Sequence, residues 1–110
     1  MNSLTKRARM LREWRSWIPQ VVKVIKKLLP DAEVYVIGSV AEGRAIAASD
    51  LDLLVVSQKV PDMARERARL IATIEERAEL PLYHPIEFHL VKPAEKGSYL
   101  QKSKKYIRLA

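Results

Sequence analysis

The stretch VIGSVAEGRAIAASDLDLLVV, residues 36–56, decides the reading of this chain. Residues 33–37 (EVYVI) are short, β-branched and apolar and run directly into Gly38-Ser39, the pattern of a buried strand ending in a turn. Residues 50–56 (DLDLLVV) read as a second strand, in which two acids alternate with leucine before a wholly apolar run. The two-residue period of a strand predicts that Asp50 and Asp52 point to one face. Between the strands, residues 39–49 (SVAEGRAIAAS) are too many for a tight hairpin and rich in small side chains. They predict a short helix after Ser39 and a loop through Gly43.

The residue types in this stretch suit a particular chemistry. Gly38 lets the backbone approach a ligand without a Cβ clash. Ser39, at a helix start, offers a hydroxyl and nearby N–H groups to phosphate oxygens. Two carboxylates side by side, Asp50 and Asp52, repel each other unless cations lie between them, and hard divalent cations take oxygen ligands. Two such ions about 4 Å apart orient a triphosphate and activate an attacking hydroxyl. A lone Gly-Ser turn or a lone Asp-x-Asp is commonplace; the combination, held between two apolar strands, carries the reading.

Outward from this centre, apolar residues at 4, 8, 11, 14, 18, 21, 22, 25, 28 and 29 follow a helical period with Lys and Arg on the other face. Pro19 and a capping Ser16 predict a kink or break near Ser16 to Pro19, and Pro30-Asp31 ends the segment. Pro61-Asp62 opens a predicted helix to about Leu80, and Pro81 and Pro85 bracket a loop. Residues 86–91 (IEFHLV) alternate as a third strand with Phe88 on one face and Glu87 and His89 on the other. Beyond Pro93 the chain turns polar and basic, suggesting a short helix and a tail.

With 110 residues, 48% hydrophobic and 30% charged, the chain has the composition of one folded domain with a modest core, neither disordered nor fibrous. The absence of cysteine removes disulfides and thiolate metal sites, so any metal is held by oxygen or imidazole, and a reducing, cytoplasmic setting is expected. No apolar run approaches the roughly 20 residues that span a bilayer, and no signal-peptide pattern is evident. Asn occurs only at position 2 beside abundant Lys, Arg and Glu, a bias found in hyperthermophile proteins. The net charge of +7 is divided into +7 over residues 1–30, −5 over 31–91 and +5 over 92–110. An acidic centre between basic arms suits a cation-binding site with surroundings that attract polyphosphate, RNA or an acidic protein; solvation of helix faces explains the arms equally well.

On these residues the sequence resembles the minimal nucleotidyltransferases, a small prokaryotic branch of the DNA polymerase beta-like nucleotidyltransferase superfamily. The resemblance runs from the leading helix to the third strand. It implies a small α/β (α+β) fold with a mixed three- to four-stranded sheet packed against helices. The divisions expected are residues 1–30 as leading helices, 31–91 as catalytic core and 92–110 as a basic tail. It further implies that Gly38 and Ser39 bind the β- and γ-phosphates of a nucleotide, that Asp50 and Asp52 ligate magnesium, and that Glu87 takes the place of a third carboxylate usually filled by Asp. Small members often carry Arg after the Ser-x-Ala step; here Glu42 and Gly43 intervene, and Arg44 takes the phosphate contact. Two Mg²⁺ ions and ATP as substrate follow from the same resemblance. So does a helical HEPN-type partner whose tyrosine accepts AMP, with this chain as antitoxin.

Competing readings stay open at several positions. Glu87 is a metal ligand or base, or an exposed carboxylate paired with a neighbouring Lys or Arg. His89 touches substrate or is a polar residue at the sheet edge. Trp14 and Trp17 pack into the core or meet a partner. Lys102, Lys104, Lys105 and Arg108 read most simply as a solvated arm, and His84 is assigned no role. Function divides likewise: a transferase, a catalytically weak module that neutralises a partner by contact, or, with least support, an RNA-directed enzyme. A homo-oligomer is compatible with all three.

Overall fold

The computed structural model describes residues 1–110. In chain order the elements are α1 (Ser3–Arg12), α2 (Trp14–Leu28), β1 (Glu33–Ile37), α3 (Gly38–Ala41), β2 (Leu51–Val56), α4 (Ala64–Arg77) and β3 (Ile86–Val91). A 3₁₀ turn (Pro93–Glu95), α5 (Lys96–Lys102) and β4 (Ile107–Arg108) complete the chain. The four strands form one mixed sheet in the order β3-β2-β1-β4, with β2 and β3 parallel and the other pairs antiparallel. This is the mixed sheet with helices that the sequence implied.

The leading segment is two helices, but they part at Glu13 and not at Ser16 to Pro19. Asn2 caps α1 by accepting the Thr5 N–H at 2.9 Å. Glu13 leaves helical geometry (φ −98°, ψ 21°), and its carbonyl accepts both the amide and the hydroxyl of Ser16, at 2.9 and 2.7 Å. Ser16 therefore closes the break from inside the new helix. Pro19 lies within α2 on its exposed side, where water can satisfy the carbonyl left without a partner. The helix expected from Pro61 to about Leu80 is shorter, Ala64–Arg77, and the reversal after it runs through Glu79 at φ +54°.

Strand alternation divides the sheet into two unequal faces. Val34, Val36, Leu51, Leu53, Val55 and Leu90 point to the helices, where they meet Val21 and Ile25 of α2 and Ile74 of α4. Complete burial of side chains such as Ile25 and Ile74 stabilises the fold by about 1.5–3 kcal/mol each. Trp14 belongs to this core, and Trp17 packs against it while donating its indole N–H to the Met10 carbonyl at 2.9 Å. The opposite face carries Tyr35, Ile37, Leu54, Val56 and Val91, covered by Tyr99 and Leu100 of α5.

The segment read as a tail adds β4 to the free edge of β1, pairing Tyr35 with Arg108 and Val36 with Ile107. The amide of Leu109 donates to the Val34 carbonyl at 2.8 Å, extending that edge. A two-residue strand has no periodicity to recognise in a sequence; the unpaired backbone groups of β1 recruit it. No helix is long and apolar enough to cross a membrane.

Candidate active site

The site lies at one end of the sheet on the face that the long helices leave open. Its placement follows from register: Ile37 pairs with Asp52, and Asp52 pairs with Glu87, so the end of β1 and two carboxylates stand abreast on three adjacent strands. Two residues along, Leu54 pairs with His89, on the same face as Asp52 and Glu87. The possible ligand atoms of Asp52, Glu87 and His89 all lie within 4.8 Å of one another.

His89 Nε2 is 3.0 Å from Asp52 Oδ1. This hydrogen bond raises the imidazole pKa above its ordinary value, against the opposing effect of burial. Glu87 is exposed as a residue, yet its carboxyl is raised above the ordinary carboxylate range. Partial desolvation is the largest cause and the charges of Asp52 and Asp50 add to it, while His89 opposes. His89 is thus a polar residue on the edge strand, as one of its two readings expected, and its partner there is a carboxylate of the cluster. His84, to which no role was assigned, holds the approach to β3. Its Nδ1 accepts the Ile86 N–H at 3.0 Å and its Nε2 lies 2.6 Å from Glu75 Oε2.

Gly38 follows the last residue of β1 with φ +72°, and a Cβ built there would lie 2.6 Å from Asp52 Oδ2. A side chain at this position would strain the backbone and push the Asp52 carboxylate aside, because the two pass directly against each other. Ser39 is half-buried in the single turn of α3. Asp50 is placed apart from Asp52. It precedes β2, and its Oδ1 accepts from Arg7 Nη2 of α1 at 2.6 Å while Arg7 Nη1 donates to the Ser49 carbonyl at 3.0 Å. Arg44 is held by Glu42, with Nε 2.9 Å from Oε1.

Gly38, Glu42, Arg44, Asp52 and His89 line a cleft of about 270 Å³ whose other wall comes from Tyr99, Lys102 and Ser103. Ser103 is buried; its Oγ accepts the Gly38 N–H at 3.0 Å and donates to the Lys105 carbonyl at 2.5 Å. These residues, like Arg7, were not readable as site residues. Arg7 lies among the other basic residues of the amphipathic leading helix, and Lys102 and Ser103 sit in a basic, polar stretch, so nothing local singles them out. A larger hollow, about 430 Å³, lies away from the carboxylates between α1 and residues 43–47 and is lined mainly by apolar side chains.

The donor set of Asp52, Glu87 and His89 fits a divalent cation: two carboxylates suit magnesium, and the imidazole extends the choice to softer ions such as manganese. A carboxylate pair beside a glycine turn can hold a cation against an anionic ligand, the requirement of phosphoryl-type transfer.

Comparison with known proteins agrees with this geometry. The nucleotidyltransferase domain family matches residues 18–109. The crystal structure of a protein provisionally described as a nucleotidyltransferase is 30% identical, over 84% of this chain and 97% of that one, with a TM-score of 0.68. A second such protein, from Sulfolobus solfataricus, shares the fold at 21% identity and TM-score 0.62, over 98% of this chain and 86% of that one. A toxin-antitoxin structure with AMP-PNP shares it at 18% identity and TM-score 0.57, over 84% of this chain and 71% of that one. No curated protein matches the chain. With the Gly38 turn set against Asp52 and Glu87 on adjacent strands, and the family match running from α2 to the residue after β4, the chain belongs to the nucleotidyltransferase domain family.

Proposed function

We propose that this chain transfers the nucleoside monophosphate of ATP to a hydroxyl, the acceptor being a tyrosine of a helical HEPN-type partner that it neutralises as an antitoxin. The observation that carries the transfer is the juxtaposition of Asp52 and Glu87, paired across β2 and β3, with the Gly38 turn. The partner is supported by the toxin-antitoxin structure with AMP-PNP, which has the same fold.

In this reading Gly38, Ser39 and Arg44 hold the phosphates, and Asp52 and Glu87, with Asp50 once released from Arg7, would hold Mg²⁺. A bound Mg²⁺ there supplies neutralisation of the triphosphate charge and activation of the attacking hydroxyl. The acceptor oxygen bonds to the α-phosphorus, the bond from that phosphorus to the bridging oxygen breaks, and pyrophosphate leaves. The hydroxyl proton passes to the carboxylate cluster, with Glu87 as the assigned acceptor. The walls of the cleft orient the nucleotide for in-line attack.

The Arg7–Asp50 ion pair favours a second reading, in which the chain neutralises its partner by contact alone, because it draws one expected metal ligand out of the cluster. The two readings separate when the chain is incubated with Mg²⁺, ATP labelled on the α-phosphate and the helical partner protein. Label on a partner tyrosine that disappears with Asp52→Asn is the expected result. A stable complex that neutralises the partner without label, equally well with Asp52→Asn, would overturn transfer in favour of contact.

A further inference from the structure

Two groups expected to bind phosphate already have partners within the chain, Gly38 in the cleft wall and Arg44 at the exposed rim. The Gly38 amide donates to Ser103 Oγ, and the Arg44 guanidinium is paired with Glu42. Elsewhere Arg7 is paired with Asp50 and Lys96 with Glu33. Among the basic side chains lining the cleft, only Lys102 makes no ion pair. A nucleotide triphosphate brings several negative charges into this space, and a free ammonium on the wall needs no partner removed before it can meet them.

Lys102 is also firmly anchored. It is the last residue of α5, and the next residue, Ser103, is buried and hydrogen-bonded to both Gly38 and Lys105. One turn earlier, Tyr99 packs on the sheet with its ring centroid 5.6 Å from that of His89. The backbone that carries Lys102 is therefore tied to the glycine turn and to the carboxylate cluster together, while its side chain is exposed.

We propose that Lys102 is the cation that receives the β- and γ-phosphates of a nucleoside triphosphate, making α5 the second phosphate-binding element of the site; this rests on the nucleotidyl-transfer reading. Lys104 and Lys105 raise the local potential without lining the cleft.

Calorimetric titration of the full chain with ATP and with AMP, both with Mg²⁺, tests it on wild type, Lys102→Ala, Lys102→Arg and Lys105→Ala. Lys102→Ala should weaken ATP binding about tenfold, the effect of losing one charge-assisted contact, and leave AMP nearly unchanged. Lys102→Arg should restore most of the loss. Lys105→Ala, with the same change in net charge, should bind ATP nearly as wild type does, and its binding as weakly as Lys102→Ala would overturn the assignment in favour of a diffuse charge effect. The thermal midpoint of Lys102→Ala should match wild type, since the exposed side chain has no partner to lose. Unchanged ATP affinity in Lys102→Ala, with wild type binding, would overturn this proposal alone. Equal weakening for ATP and AMP would overturn the phosphate assignment. Wild type that binds no ATP would overturn the nucleotidyl-transfer reading, and this proposal with it.

Discussion

Gly38 stands where backbone conformation and site chemistry coincide. Its φ of +72° disfavours L-residues by about 1–2 kcal/mol. The Cβ that alanine would add meets Asp52 Oδ2 at 2.6 Å, so the carboxylate must move as well. Gly38→Ala is therefore expected to lower the unfolding midpoint and weaken Mn²⁺ binding at Asp52 together, measurable by thermal melting and by titration of the metal. A variant with wild-type stability and metal affinity would show that the close approach is unimportant. Gly38, Asp52 and Glu87 were legible because a Gly-Ser turn and two-residue alternation are local patterns. Arg7 was not, because it reaches Asp50 across 43 residues of sequence. The sequence presented Asp50 and Asp52 as an equivalent pair; it contained no sign that an arginine of the leading helix would engage one of them.

At the level of elements, α5 and the residues after it act as a clasp on the open face of the sheet. Ser103 links them to the glycine turn at the end of β1 across 65 residues, through the Gly38 amide. Ser103→Ala would leave that amide, and the Lys105 carbonyl, without their side-chain partner, a loss of about 1–3 kcal/mol. Urea unfolding should show the lower midpoint; no change would mean that water replaces the hydroxyl. The existence and type of the long elements were readable, since α2, α4 and the three longer strands have clear periodicity. The break between α1 and α2 falls at Glu13 and not at Pro19, whose exposed position lets the helix pass through it. β4 was unreadable because its pairing depends on an edge that β1 offers only once the sheet has formed.

Over the whole molecule, hydrogen bonds and ion pairs engage many of the carboxylates. Asp31, Glu33, Glu42 and Glu95 are all held below the ordinary carboxylate range. The leading causes are hydrogen bonds from Ser57 to Asp31, from Lys96 to Glu33, from Arg44 to Glu42 and from the Lys92 amide to Glu95. A depressed pKa means that the unfolded chain takes up protons first. The stability these groups contribute is therefore complete above their unfolded values, 3.8 for Asp and 4.5 for Glu, and is lost as pH falls through the folded ones. Glu87, shifted upward, works in the opposite sense above that range. Chemical denaturation at stepped pH should show stability falling below about pH 4.5, with a shallower fall in Glu33→Gln. A third of the Glu33 side chain is exposed, so added salt should reduce the difference between variant and wild type. Local preference is enough for the central unit: strand, glycine turn, loop and acidic strand, with Asp52 and Glu87 directed to the face opposite Leu53 and Phe88. These follow from φ/ψ preference and alternation, which act over a few residues. Which groups those residues meet depends on long-range packing. The partners of Asp50 and Gly38 come from opposite ends of the chain, and their positions are set by how α1 and α5 pack against the sheet, an outcome of buried area and hydrogen bonding summed over the whole fold.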